Sequence, residues 1–269
     1  MIIQKISILL LAFIVSFLQP AENDSNYSSN SPQDHISSPD SLLNEIKAKG
    51  WTNSILNSIK DYLINSEAPA GTKFSLLNDF KADYHKALLY SVLLKKQNKF
   101  TAMYDTLAAH LNSIPDYLPY YDELVFAANA SSRLSILESQ IESSGEFHPK
   151  EKNYLLGLIT YQETDYDSAR KFFEKCLLLD STNKYIQYQL SYSYRSLGDY
   201  KKALDLIKKS ENNSPGDLPF LIKAYLAEGA LYYLSGEYDL ADAIYKKSYT
   251  LSQVNKLNET EGLSLVALG

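Results

Sequence analysis

Three positions in the second half of the chain move in step, and nothing else in the sequence constrains the fold as tightly. Tyr166, Tyr200 and Tyr238 are separated by 34 and 38 residues, and Ala169, Ala203 and Ala241 keep the same two intervals, as do Phe173, Ile207 and Tyr245. An aromatic residue, a small residue three places on and a large apolar residue four places further share one face at 3.6 residues per turn. Self-similarity at such a period marks units that cannot bury their apolar faces alone and must stack to share a core. The pattern therefore predicts an array of helices. A low content of turn formers, 10 Gly and 9 Pro in 269 residues, agrees.

Within the unit from Glu151 to Asn183, Leu156-Gly157 is followed by Tyr166, Ala169 and Phe173, with Asp180-Ser181 at the close. This order resembles the tetratricopeptide repeat (TPR), whose signature sets Leu-Gly, Tyr, Ala, Phe and a closing Pro at fixed offsets within about 34 residues. The resemblance is clear from Lys150 to about Lys256. Degenerate copies stand upstream: Phe100 and Leu134 precede Tyr166, Met103 and Leu137 precede Ala169, and Leu107 and Ile141 precede Phe173, while Pro115 and Pro149 close their units. Five units are read, beginning near Tyr84, Leu118, Lys150, Lys184 and Ile222. The first two lack the Gly and the small Ala, and looser packing is expected there. The resemblance implies an all-α fold, a right-handed superhelical solenoid of antiparallel helix pairs.

Each signature residue has a physical task. Gly157 and Gly229 lack a Cβ and let the two helices of a unit approach closely, with Ala169, Ala203 and Ala241 providing the same contact from the second helix. Gly198 and Gly236 suit a left-handed turn between the helices, and Asp199 suits the cap that follows. Asp165, Asp199 and Glu237 recur at that turn, which makes them capping groups rather than catalytic carboxylates.

The flanks read differently. Lys5 and the apolar stretch Ile6–Leu18 predict an export signal or retained anchor over 1–21, followed by a Ser/Asn-rich leader over 22–37 with too little apolar surface to fold. Residues 38–83 read as an N-terminal helical cap opened by Ser38-Pro39-Asp40. A third helix of this cap is expected to carry Leu76, Leu77, Phe80, Tyr84 and Leu88. The TPR-like units occupy 84–261, and 262–269 read as the start of a further, truncated repeat, as though the protein continued.

Composition excludes several classes of function. The net charge is −6 and no basic stripe is present, so there is no electrostatic footprint for DNA or RNA. A single cysteine, Cys176, excludes an intrachain disulfide and multi-thiolate zinc sites. It stands where the repeat carries Ala and reads as a buried, inert thiol. His35, His85, His110 and His148 are scattered singly. With no phosphate loop, nucleophile elbow or His-containing triad in the sequence, neither an enzyme nor a cofactor site is expected.

By resemblance, the first helix of each TPR lines a concave groove. Its inward positions fall on Tyr154, Leu158, Tyr161, Tyr185, Tyr188, Tyr192, Arg195 and Tyr233, with Gln162, Lys223 and Leu226 among them. Tyr and Arg dominate binding hot spots, so a protein or peptide partner is expected there. The Lys and Asn that grip chaperone-tail carboxylates in some relatives are replaced by Tyr188, Tyr192 and Leu158. The expected function is an exported interaction scaffold, periplasmic or secreted, touching a membrane only through its N-terminal segment. An extracytoplasmic sensor arm of a larger signalling protein is the alternative.

Overall fold

The computed structural model describes residues 44, 46, 51–65, 68–69, 71–73, 77, 83–111, 117–144, 147–254, 264–265 and 267. Two units divide the chain, Met1–His35 and Ile36–Gly269, and every described residue lies in the second. The expected export signal, the leader, the Ser38-Pro39-Asp40 cap, Leu76 and Phe80 of the third cap helix and most of 262–269 lie outside the described residues.

Among the described residues the regular structure is helical: α1 (Asn53–Asn65), α2 (Tyr84–Lys96), α3 (Phe100–Ala108), α4 (Leu118–Ala130), α5 (Leu134–Ser143), α6 (Pro149–Gln162), α7 (Tyr166–Leu179), α8 (Lys184–Ser196), α9 (Tyr200–Asn212), α10 (Leu218–Leu234) and α11 (Tyr238–Val254). From α2 onward they pair, first helix with second. Each second helix also packs on the next unit's first helix, so the units share one stack.

The turn inside every pair is built alike. Three residues join the two helices, and the middle one has positive φ: Asn98, Ser132, Thr164, Gly198 and Gly236. The next residue's N–H reaches back five positions to a carbonyl, as in Lys99 to Leu94, Asp165 to Thr160 and Glu237 to Tyr232. This closes the orphan carbonyls at a helix end and needs one residue in the left-handed region. Glycine supplies it only in the last two units. Asp165 and Asp199 then accept from the N–H groups of Ser168 and Lys202, capping α7 and α9.

Close helix approach depends on pairs of matched volume. A Cβ at Gly157 would lie 2.8 Å from the ring of Phe173, and Gly229 faces Tyr245 in the same way. Nine residues before the start of each second helix, the same register holds Ser91, Val125, Gly157, Ser191 and Gly229. Seven residues into each second helix stand Leu107, Ile141, Phe173, Ile207 and Tyr245, so each Gly packs on an aromatic ring and the register matches each Ser with an aliphatic residue. The first unit therefore has a small residue after all, in Ser91, which is fully buried with its hydroxyl bonded to the Leu88 carbonyl.

Two boundaries differ from the sequence reading. Asp83 adopts an extended conformation and accepts from the N–H groups of His85 and Lys86. A new helix therefore starts at Tyr84, and Tyr84 and Leu88 belong to α2 rather than to a third cap helix. Likewise α10 begins at Leu218, ahead of Ile222, because Asp217 caps it and Pro219 occupies its first turn.

Candidate partner-binding face

The first helices α2, α4, α6, α8 and α10 lie side by side and bond to one another through polar side chains. Tyr154 of α6 donates its hydroxyl to Asp122 of α4 at 2.9 Å, and Gln189 of α8 donates to the same Oδ1 at 3.0 Å. Asn129 of α4 donates to Gln162 of α6, and the hydroxyls of Tyr161 and Ser196 meet at 3.0 Å. Lys95 of α2 pairs with Glu123 of α4 at 3.2 Å. Lys184 of α8 pairs with Asp217, the cap of α10, at 2.5 Å.

Lys60 of α1 and Lys223 of α10 add positive charge beside these carboxylates: both favour the ionised form of Glu123, and Lys223 acts on Asp122 in the same sense. Enclosure also raises the cost of charge: burial pushes the Asp122 carboxyl up to about 7, partly offset by the Tyr154 hydroxyl, and pushes Lys60 down to about 8.

Each residue expected on the groove has a definite place. Tyr154 is fully buried, edge-on to Phe173, and holds Asp122 without offering a partner any surface. Leu158 and Tyr161 are also buried, Tyr161 against Tyr166. Tyr185, Tyr188, Tyr192 and Arg195 are half-buried and come together on α8. The hydroxyls of Tyr188 and Tyr192 meet at 2.8 Å, the Arg195 guanidinium lies 4.1 Å over the Tyr192 ring, and Tyr185 and Tyr188 both contact Phe220 of α10. Tyr233 is 46% exposed and packs against Tyr238. The structure thus gathers four of the expected residues into one accessible aromatic patch and sinks three into the core beneath it.

Asp122, Glu123, Lys60, Lys95 and Gln189 escaped the sequence reading. Counting the same inward positions from Leu118 and Tyr84 would have found Asp122 at the fifth place and Lys95 at the twelfth. The degenerate units conceal that register, because neither carries the Gly and the small Ala that mark it elsewhere. Cys176 is fully buried, its thiol pushed up to about 12 by burial and by Glu151 nearby, and it contacts the Lys150 carbonyl at 3.4 Å. Among the described residues no group of three or more His, Cys, Asp or Glu could hold a metal ion, and no helix is long and apolar enough to cross a membrane.

A family model of the tetratricopeptide repeat matches residues 153–183 and 185–217. The chain carries tetratricopeptide repeats. Among solved structures, it is similar to the APC/C hetero-tetramer Cut9–Hcn1 at 12% identity and a TM-score of 0.53, over 85% of this chain and 45% of that one. It is also similar to MamA, at 18% identity over 62% and 96% with a TM-score of 0.43, and to TTC0263, a thermophilic TPR protein in Thermus thermophilus, at 18% over 87% and 99% with 0.44. No curated protein sequence matches. The fold is an all-α, right-handed TPR solenoid of antiparallel helix pairs, and the accessible Tyr–Arg patch sits on the first helix of a matched TPR.

Proposed function

We propose that the protein is a non-enzymatic interaction scaffold that holds a partner polypeptide along the concave TPR face. The observation that carries this is the half-buried cluster of Tyr185, Tyr188, Tyr192 and Arg195 on α8. Rigid amphipathic rings contribute contact area at small entropic cost, and a guanidinium stacked on a ring still presents N–H donors to a partner. Half-buried rings that bond chiefly to one another suit exchange of those contacts for a peptide's. The positive n-region at Lys5 and the apolar stretch after it support export, so the partner is proposed to be met outside the cytoplasm.

Selecting dodecapeptides from a phage-displayed random library against the purified chain tests the reading. Tyr188→Ala with Tyr192→Ala is expected to weaken the selected peptides tenfold or more, with helicity and melting temperature little changed. A sharp fall in melting temperature with unaltered affinity would place both rings in the core and remove the site.

A further inference from the structure

Glu228, in the middle of α10, is a charged residue that the fold buries almost completely, at 5% exposure. It shares a face of that helix with Tyr225 and Tyr232, three and four residues away, and this face meets α9. Lys208 of α9 stands 3.8 Å from Oε1 of Glu228 and donates to the Tyr232 hydroxyl at 2.9 Å. Glu211 follows Lys208 by three residues and so lies one turn along the same contact, where its carboxyl group meets that of Glu228. Lys247 of α11 is held 3.8 Å over the Tyr225 ring. From α8, Gln187 accepts from Asn213 at this end of α9, and Lys184, one turn earlier, is engaged by Asp217.

Oε1 of Glu211 is buried and has no hydrogen-bond donor. Its neighbour across the contact is another carboxyl group, and two carboxylates repel each other unless one of them carries a proton. A proton between them satisfies the orphaned oxygen and gives the two helices a charge-assisted hydrogen bond. Of the two groups only Glu228 has a cation within ion-pair distance, so Glu211 is the one that keeps the proton. Burial, and then the charge of Glu228, push the Glu211 carboxyl up to about 7 against the opposing effects of Lys247 and Lys208. An unfolded glutamate titrates near 4.3, so the stabilisation due to the neutral form is fully present below about pH 4 and is lost as the pH rises through 7. The same helix carries Phe220, whose ring centroid lies 5.2 Å from that of Tyr185 and 5.4 Å from that of Tyr188. Whatever fastens α10 to α9 therefore also sets where Phe220 stands. We infer that Glu211 and Glu228 share one proton, that this proton fastens α10 to α9 with Phe220 in place against Tyr185 and Tyr188, and that its loss in mildly alkaline solution loosens the contact and weakens peptide binding. The effect on a partner rests on the groove reading above, whereas the shared proton does not.

The test follows two quantities on the whole chain at pH 6, 7 and 8.5: hydrogen exchange in α10, corrected for the intrinsic rate, and the affinity of the library-selected peptides. In the wild type, exchange in α10 is expected to accelerate and affinity to fall about threefold or more across this range. Glu211→Gln keeps the shape and supplies an N–H for Glu228 at every pH, so it should flatten the exchange profile and remove most of the fall in affinity. Glu228→Gln, whose amide can donate to Glu211 in the same way, serves as the second variant should the first not fold. Asp122→Asn, two units away, should leave the pH dependence of α10 exchange as it is in the wild type. An exchange profile that stays flat in the wild type, or that neither glutamine variant flattens, overturns the shared proton. The expected exchange profile with a constant affinity overturns its control of binding. A library that yields no peptide, or only peptides indifferent to Tyr188 and Tyr192, overturns the groove reading, and the exchange profiles still decide the proton.

Discussion

Gly157 and Phe173 fit each other so closely that an alanine at 157 would place its Cβ 2.8 Å from Cε1 of the ring. Phe173 is fully buried, so the ring has no solvent-filled space to move into. Gly157→Ala is expected to cost about 1–3 kcal/mol through overpacking, despite the better helix propensity of Ala. The register suggests its own rescue. Where this protein puts Ser at the small position, the residue in register on the second helix is Leu107 or Ile207, so Gly157→Ala combined with Phe173→Leu should recover part of the loss. A double-mutant cycle in urea would show a favourable coupling energy, and additive losses would mean the two residues do not share the strain.

Thr164 sits at φ +67 in the turn where two other units place Gly198 and Gly236. A β-branched residue there carries a left-handed penalty of about 1–2 kcal/mol, part of which glycine's extra chain entropy offsets. Thr164→Gly is expected to stabilise the protein by roughly 0.5–1 kcal/mol, a rise of a few degrees in melting temperature for a chain of this size. The same change at Gly198, to Thr, should destabilise by a comparable amount.

Much of this fold is legible in the sequence, and the parts that are not have a common cause. The step Tyr166, Tyr200, Tyr238 can be read because stacking demands one residue type at one place in every unit. The turn could be read at Gly198 and Gly236 but not at Asn98, Ser132 and Thr164, where a backbone hydrogen bond imposes the left-handed conformation on residues that do not advertise it. Small size at the helix contact was likewise legible as Gly157 but not as Ser91 or Ser191. The site was harder still. Tyr188, Tyr192 and Arg195 follow from position within one unit, whereas the hydrogen bonds that Tyr154 and Gln189 make to Asp122 join three different units, which no single unit records.

Cys176 gives a direct measure of opening. Its thiol is fully buried and pushed up to about 12, against an ordinary value near 8.5. At pH 8 the folded protein should therefore react with Ellman's reagent at least a thousandfold more slowly than the urea-unfolded chain, since the thiolate is the nucleophile. The residual rate would report opening of the α6–α7 pair. Rapid reaction under native conditions would show that this pair opens readily, contrary to its packing around Phe173.

Asp122 should leave its mark on the pH dependence of stability. Burial pushes its carboxyl up to about 7, and an unfolded aspartate titrates near 3.9. Because the folded value is the higher one, the stabilisation associated with the neutral form is fully present below about pH 4 and is lost as the pH rises through 7. Asp122→Asn keeps the Oδ1 that accepts from Tyr154 and Gln189 but cannot ionise. Relative to the wild type, the variant should gain stability steadily between about pH 4 and pH 7 and hold a constant advantage above that. Because Asp122 is only half-buried and solvent screens it in part, the advantage is on the order of 2 kcal/mol. Urea unfolding at pH 4, 5.5, 7 and 8.5 would trace it. A difference independent of pH would mean that the carboxylate stays charged throughout and that the lysines of the concave face, above all Lys223, hold it more firmly than burial opposes it.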